Sequence, residues 1–159
     1  MLIDPKMLEF SEYVELYDQY LVHIEGVTEG VITDINDSAQ AVNTLVAEMD
    51  RRYRLFRLAG CRNISEYNSK IENEKLQYLV GIIDEYADLK MTLGESIESP
   101  VIRLAQMSRA VGIHLIVATQ RPSKYVITDV MKANFPHRIA FKTFMKIDSK
   151  AMINCEDAK

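Results

Sequence analysis

The sequence predicts an α/β fold, a mainly parallel sheet flanked by helices, and three observations carry that prediction. Two apolar runs, Leu79 to Ile83 and Ile113 to Ala118, have the length and β-branched content of strands buried on both faces. A helical pattern lies between them, as a right-handed crossover between parallel strands requires. Both runs end in polar residues, Asp84-Glu85 and Thr119-Gln120-Arg121. Parallel strands would set those two tips side by side on the carboxyl edge, where open α/β sheets bind ligands.

The elements follow in order. Met1 to Ile3 runs into Asp4 and Pro5 like the tail of a strand already in progress, so the chain is expected to start mid-fold. Glu9 to Val22 shows no sustained period, and Val31 to Thr33 suits a short strand. Between Ser38 and Leu58, the residues Val42, Leu45, Val46, Met49, Tyr53 and Phe56 recur at three- and four-residue spacing, with Gly60 placed as a C-terminal cap. Arg51, Arg52, Arg54 and Arg57 fall on what reads as that helix's wet side. Asn63 to Lys75 is a polar connection with room for a helical turn. After Asp84 and Glu85, Tyr86 to Met91 leads into a loop around Gly94, and Ser99-Pro100 reads as a cap and first helical position. Ile97, Val101, Leu104, Ala105, Ser108 and Val111 then share one helical face, and Gly112 ends it. A further helix is expected over Tyr125 to Ala133 and a further strand over Arg138 to Phe141.

With 159 residues, 48% of them hydrophobic, the chain can bury one core of its own. No apolar run approaches the roughly 18 residues of a membrane span, and no cleavable leader stands at the N-terminus. Cys61 and Cys155 have neither metal-ligand spacing nor a cysteine framework, which suits a reducing cytosol. His23, His114 and His137 are scattered, and His114, inside an apolar run, reads as a core residue.

Net charge is −4, too acidic for bulk attraction to nucleic acid, but it is unevenly spread. Arg121 to Lys150 carries seven basic residues against Asp129 and Asp148, a local +5 that leaves −9 for the remainder. Such a run is either a solvated face or the electrostatic footprint of a phosphate-backbone contact.

The paired acids admit two readings. A turn after a buried strand favours Asp and Glu for their own sake. Alternatively, one carboxylate at the tip holds Mg²⁺ through its waters and the second polarises an attacking water, the acidic half of a nucleotide-hydrolysis site. Gln120 on the neighbouring tip either caps its strand or senses the terminal phosphate.

VGIIDEYADLKMT, RLAQMSRAVGIHLIVATQRP, VITDVMKANFPHRIAF and KIDSK resemble the motor domain of FtsK/SpoIIIE double-stranded DNA translocases. LIDPKMLEFS and EMDRRYRLFRLAGCRNISEYN are similar to the same family's segments between its two Walker motifs, so the resemblance covers nearly the whole chain in order. It implies a RecA-like P-loop NTPase core over residues 1–159, truncated at the N-terminus. It also implies an ATP- and Mg²⁺-dependent ring, usually a hexamer, with duplex DNA in its channel, serving chromosome segregation and cell division or DNA transfer. By resemblance, Asp84 is the Walker B magnesium residue, Glu85 activates water, Gln120 is the sensor, and Arg109 is offered to the neighbouring subunit's ATP. By the same resemblance, Arg121, Lys132, Lys146 and Lys150 fall at basic positions that in this family line the channel and touch DNA phosphates, contacts that carry no sequence information.

Departures from the family accompany the matches. None of the six glycines, Gly26, Gly30, Gly60, Gly81, Gly94 and Gly112, belongs to a GxxxxGK[ST] loop. The expectation is that this loop lies upstream and that the chain alone binds Mg-ATP weakly and hydrolyses it negligibly. Lys150 stands where the family has Arg, and Phe144-Met145 replaces small polar residues. Location is expected to be cytoplasmic, at the inner membrane's cytoplasmic face if the parent is anchored, with no membrane contact by this segment. The alternatives are a non-catalytic ring subunit or remnant, and a related conjugation or secretion motor.

Overall fold

The computed structural model describes residues 1–16, 20–22, 24, 30–143 and 145–155. Four parallel strands form one sheet in the order β2-β1-β3-β4, with β1 at Leu2–Ile3, β2 at Val31–Ile32, β3 at Leu79–Ile83 and β4 at Ile113–Val117. Helix α1 (Ile35–Ala59) follows β2, starting at an Asp34 cap that accepts the Asn36 and Asp37 amides and ending where Gly60 turns left-handed at φ 62°. It is longer than its apolar period by about a turn at the front, because Asp34 supplies the cap. Its buried stripe, Val42, Leu45, Val46, Met49 and Phe56, is the predicted one.

Short helix α2 (Ile64–Lys70) then leads to β3, and α3 (Tyr86–Leu93) and α4 (Glu95–Met107) pack with α1 on one face of the sheet. A 3₁₀ turn at Ser108–Val111 precedes β4, and α5 (Asp129–Asn134) and α6 (Lys146–Ile153) close the described chain. Ile3, Ile83, Leu89, Ile97, Val101, Leu104, Val111 and Ile113 are fully buried in the layer between sheet and helices.

Several expectations are corrected. β3 and β4 are covered on one face only: Ile83 and Ile113 are buried, while Val80 is 43% and Ile116 54% exposed on the other. His114, on that open face, is exposed and stacks on Tyr78 with ring centroids 6.0 Å apart. The stretch after Glu85 is a helix rather than a loop, because Glu85 caps it by accepting the Ala87 amide. Ser99 and Pro100 lie inside α4, whose N-terminus is at Gly94. The fifth helix covers only Asp129–Asn134, since Thr128 accepts the Met131 amide and so sets its start. Arg138 to Phe141 forms no strand: Ile139 is 80% and Phe141 84% exposed, so β propensity there finds no sheet to join. Arg52 is buried at 3% exposure, its guanidinium donating to Glu48 and to the Val111 carbonyl. His23 and Phe144 lie outside the described residues, as does part of the irregular stretch after Glu9, whose Ser11–Leu16 is a 3₁₀ helix.

Candidate functional site

The register of the two central strands settles where their tips lie. Ile83 pairs with Val117; beyond that pair the Ala118 amide donates to the Ile83 carbonyl at 2.8 Å, and the Tyr86 amide to the Ala118 carbonyl at 2.9 Å. The Asp84 amide donates to Ile3 at 3.0 Å on the other side. Asp84-Glu85 and Thr119-Gln120 are therefore adjacent on the carboxyl edge, and the tip of β1 stands beside them.

Glu85 is fully buried, yet four donors surround its carboxylate. The Thr119 hydroxyl donates at 2.5 Å, the Gln120 amide at 3.1 Å, the Ala87 amide at 3.2 Å and Lys6 Nζ at 3.2 Å. Burial pushes this carboxyl up, but the bonds from Thr119, Gln120, Lys6 and Ala87 outweigh it and hold Glu85 below the usual glutamate range. It is ionised at neutral pH.

Asp84 is the opposite case. Its Oδ2 is buried without a hydrogen-bond partner, and burial, with Asp4, Glu9 and Glu85 nearby, raises its carboxyl above the usual aspartate range. An orphaned acceptor beside three carboxylates would suit a divalent cation, which Asp84 would help to hold. No cluster of three or more His, Cys, Asp or Glu able to cage a metal exists among the described residues.

Sequence reasoning missed Lys6, Asp4, Thr119 and Asp88. Asp4 is fully buried and accepts the Lys6, Glu9 and Phe10 amides, which folds the loop after β1 so that Lys6 reaches Glu85, the Gln120 side-chain oxygen at 3.4 Å and Asp88 at 3.9 Å. The signal was the DPK triplet at a strand tip. It could be used only once β1 was known to sit beside β3.

The basic candidates divide. Lys132 and Lys150 line one groove of about 660 Å³ between α5 and α6, with Lys124, Thr128 and Asp129. Lys132 pairs with Asp129 at 2.8 Å, and Lys146 lies one turn before Lys150 on α6. Arg121 stands apart, 3.6 Å from Asp88 near the strand tips. Arg109 is exposed in the 3₁₀ turn before β4, at the amino edge of the sheet. The rise of β4 puts it roughly 20 Å from Glu85.

The profile of the FtsK/SpoIIIE family matches residues 1–124. The chain is 49% identical over its whole length to DNA translocase FtsK of Chlorobaculum tepidum and 50% identical to that of Campylobacter jejuni subsp. jejuni. It spans 20% and 16% of those two proteins. Among solved structures it resembles the pCW3 conjugation coupling protein TcpA, solved with ATPgS, at TM-score 0.83 and 31% identity, over 99% of this chain and 44% of that one. The type VII secretion ATPase EccC of Thermomonospora curvata matches 80% of this chain, and the chain covers 16% of it, at TM-score 0.66 and 22% identity, which supports the RecA-like P-loop fold alone. On its matching profile, its relatives and the parallel sheet with these strand tips, this chain belongs to the FtsK/SpoIIIE family.

Proposed function

We propose that residues 1–159 are the Walker B, sensor and DNA-contacting part of an ATP-driven double-stranded DNA translocase. The observation that carries the reading is the pairing of the two tips, with the Gln120 amide on the Glu85 carboxylate at 3.1 Å. Mg²⁺, where bound, supplies charge neutralisation to a transferring phosphoryl group. The chain's own residues do the rest. Asp84 holds a buried, unpartnered oxygen at the β3 tip, and Glu85 remains a carboxylate at pH 7 and so can accept a proton from an attacking water.

Of the four donors on Glu85, three are fixed by the strand tips and the start of α3. Lys6 alone reaches in on a flexible, partly exposed side chain. It is the donor a water would displace. Gln120, whose side-chain oxygen accepts from Lys6, then turns toward the same water or the terminal phosphate. The phosphate-cradling loop is proposed to come from sequence N-terminal to β1, as in the family.

Arg109 cannot reach its own chain's tips and serves, in this reading, a neighbouring copy in a homo-oligomeric ring. Duplex DNA is proposed to lie along Lys132, Lys146 and Lys150, with Arg121 nearer the nucleotide edge. No helix among the described residues is long and apolar enough to cross a membrane; any membrane anchor is proposed to lie elsewhere in the parent protein. The relatives named as DNA translocases favour DNA as the substrate, and action on chromosomal DNA in cell division is proposed with it. The likeness to TcpA favours a second reading, a conjugation motor, on the same chemistry.

A mixing experiment in the longer protein tests the reading. Glu85→Gln and Arg109→Ala subunits, each inactive alone, recover DNA-stimulated hydrolysis when mixed, because some interfaces then join an intact Glu85 to an intact Arg109. Mixtures as inactive as their parents overturn the trans role.

A further inference from the structure

A second basic cleft lies at the amino edge of the sheet, away from both the strand tips and the lysine groove. Its volume is about 640 Å³, and Arg54 and Arg57 of α1, Arg62 of the following loop and Arg103 of α4 stand around a floor that includes Tyr53, Phe56 and Met107. The Tyr53 hydroxyl donates to the Met107 carbonyl at 2.7 Å, tying the C-terminal half of α1 to the end of α4 and keeping that floor in place.

The same two helices pair their other arginines. Arg51 and Arg52 share Glu48, and Arg103 takes both oxygens of Asp50 at 2.8 and 3.0 Å. Arg54, Arg57 and Arg62 are exposed and have no side-chain hydrogen bond or ion pair among the described residues. With Asp50 the cleft's one acid, its lining carries +3 on a chain of net charge −4. Arg54 and Arg57 are three residues apart, so their guanidiniums share a helix face and repel unless an anion lies between them.

We propose that this cleft binds a phosphate-bearing anion. Guanidinium forks match phosphate oxygens two at a time, and a multiply charged phosphate satisfies three unpaired arginines better than a single carboxylate does. The volume is that of a small-molecule site. The phosphate belongs either to a free phosphorylated ligand or to a nucleic-acid backbone running over the amino edge.

Titration of the 159-residue chain with pyrophosphate and with a 20-base-pair duplex, at low salt in a phosphate-free buffer, separates the two. The Arg54→Gln/Arg57→Gln/Arg62→Gln variant, altered only at exposed side chains and matched in Tm to the wild type, binds at least about tenfold more weakly, the order expected for lost charge-assisted pairs. Its duplex salt slope falls by about 3, one per phosphate contact. Asp50→Asn, which frees Arg103, tightens binding. A tenfold or greater loss confined to pyrophosphate assigns a free phosphate group, a loss confined to the duplex assigns the backbone, and a loss for both assigns a cleft that takes either. A smaller change for both probes, or no saturable binding of either by the wild type, overturns the proposal. Lys132→Gln/Lys150→Gln is titrated with the duplex alongside the arginine variant, so failure of the proposed DNA groove and failure of this cleft read differently.

Discussion

Asp84 and Glu85 are neighbours in sequence, and the structure predicts that neutralising them shifts stability in opposite directions. Asp84 holds a buried, unpartnered oxygen beside like charges. Asp84→Asn removes that charge and offers an amide donor to Asp4 or Glu9. Relief of an unsatisfied buried acceptor is about 1–3 kcal/mol, and partial exposure of Asp84 puts the gain near the lower end, ~1 kcal/mol. For a chain of this size that raises Tm by roughly 2–4 °C. Glu85→Gln instead turns an amide donor toward the Thr119 hydroxyl, the two backbone amides and Lys6. Losing charge-assisted bonds in a buried site costs about 2–3 kcal/mol, a Tm drop of roughly 4–12 °C. Thermal unfolding of the two variants by circular dichroism, without nucleotide, reads both. An Asp84→Asn Tm below the wild type refutes the view that Asp84 is held at a cost for a cation.

The remaining predictions concern pH, packing and charge. Because the folded Glu85 carboxyl lies below its unfolded value, its stabilisation is full above about pH 4.3 and is lost as pH falls through the lower folded value. Asp84, raised when folded, acts oppositely: acidification from neutrality relieves it before Glu85 fails, so wild-type stability rises slightly before collapsing. Urea midpoints between about pH 7 and 3 show that rise, and Asp84→Asn abolishes it; an equal rise in the variant contradicts the assignment. Gly112→Ala is severe, since φ is 75° and a Cβ would stand 2.5 Å from Ile64 Cδ1. Left-handed backbone and overpacking together cost about 2–4 kcal/mol, measurable by urea unfolding, and a loss under ~1 kcal/mol rejects the packing described. Lys132→Gln/Lys150→Gln lowers the slope of log K against log salt for duplex DNA by about 2, and an unchanged slope removes those lysines from the interface.

The central layer was legible because period and punctuation agreed. Apolar residues of α1 recur at helical spacing and Gly60 ends it, and β3 and β4 are short β-branched runs halted by polar residues. Their adjacency followed from the crossover rule, and with it the meeting of Glu85 and Gln120. What was not legible depended on partners far along the chain. Lys6 enters the site only because β1 inserts between β2 and β3. Apart from His114, the open face of β3 and β4 is as apolar as the covered one, so Val80 and Ile116 read as buried. Tyr86 to Leu93 lacks a clear helical stripe because its covered residues, Tyr86, Ala87, Leu89 and Lys90, include a lysine paired to Glu98, while the apolar Met91 is exposed. Arg52 shows the same limit, since a buried arginine differs from its exposed neighbours only through the carbonyl of Val111, 59 positions away.

The central claim is that the paired tips of β3 and β4 act on one bound nucleotide. Single-turnover ATP hydrolysis by the longer protein, measured with Glu85→Gln and with Gln120→Ala alongside direct nucleotide binding, tests it most directly. Both variants are predicted to bind ATP within a few-fold of wild type while hydrolysing it at least ~100-fold more slowly, the scale of a lost general base. Hydrolysis at the wild-type rate by either variant would contradict it.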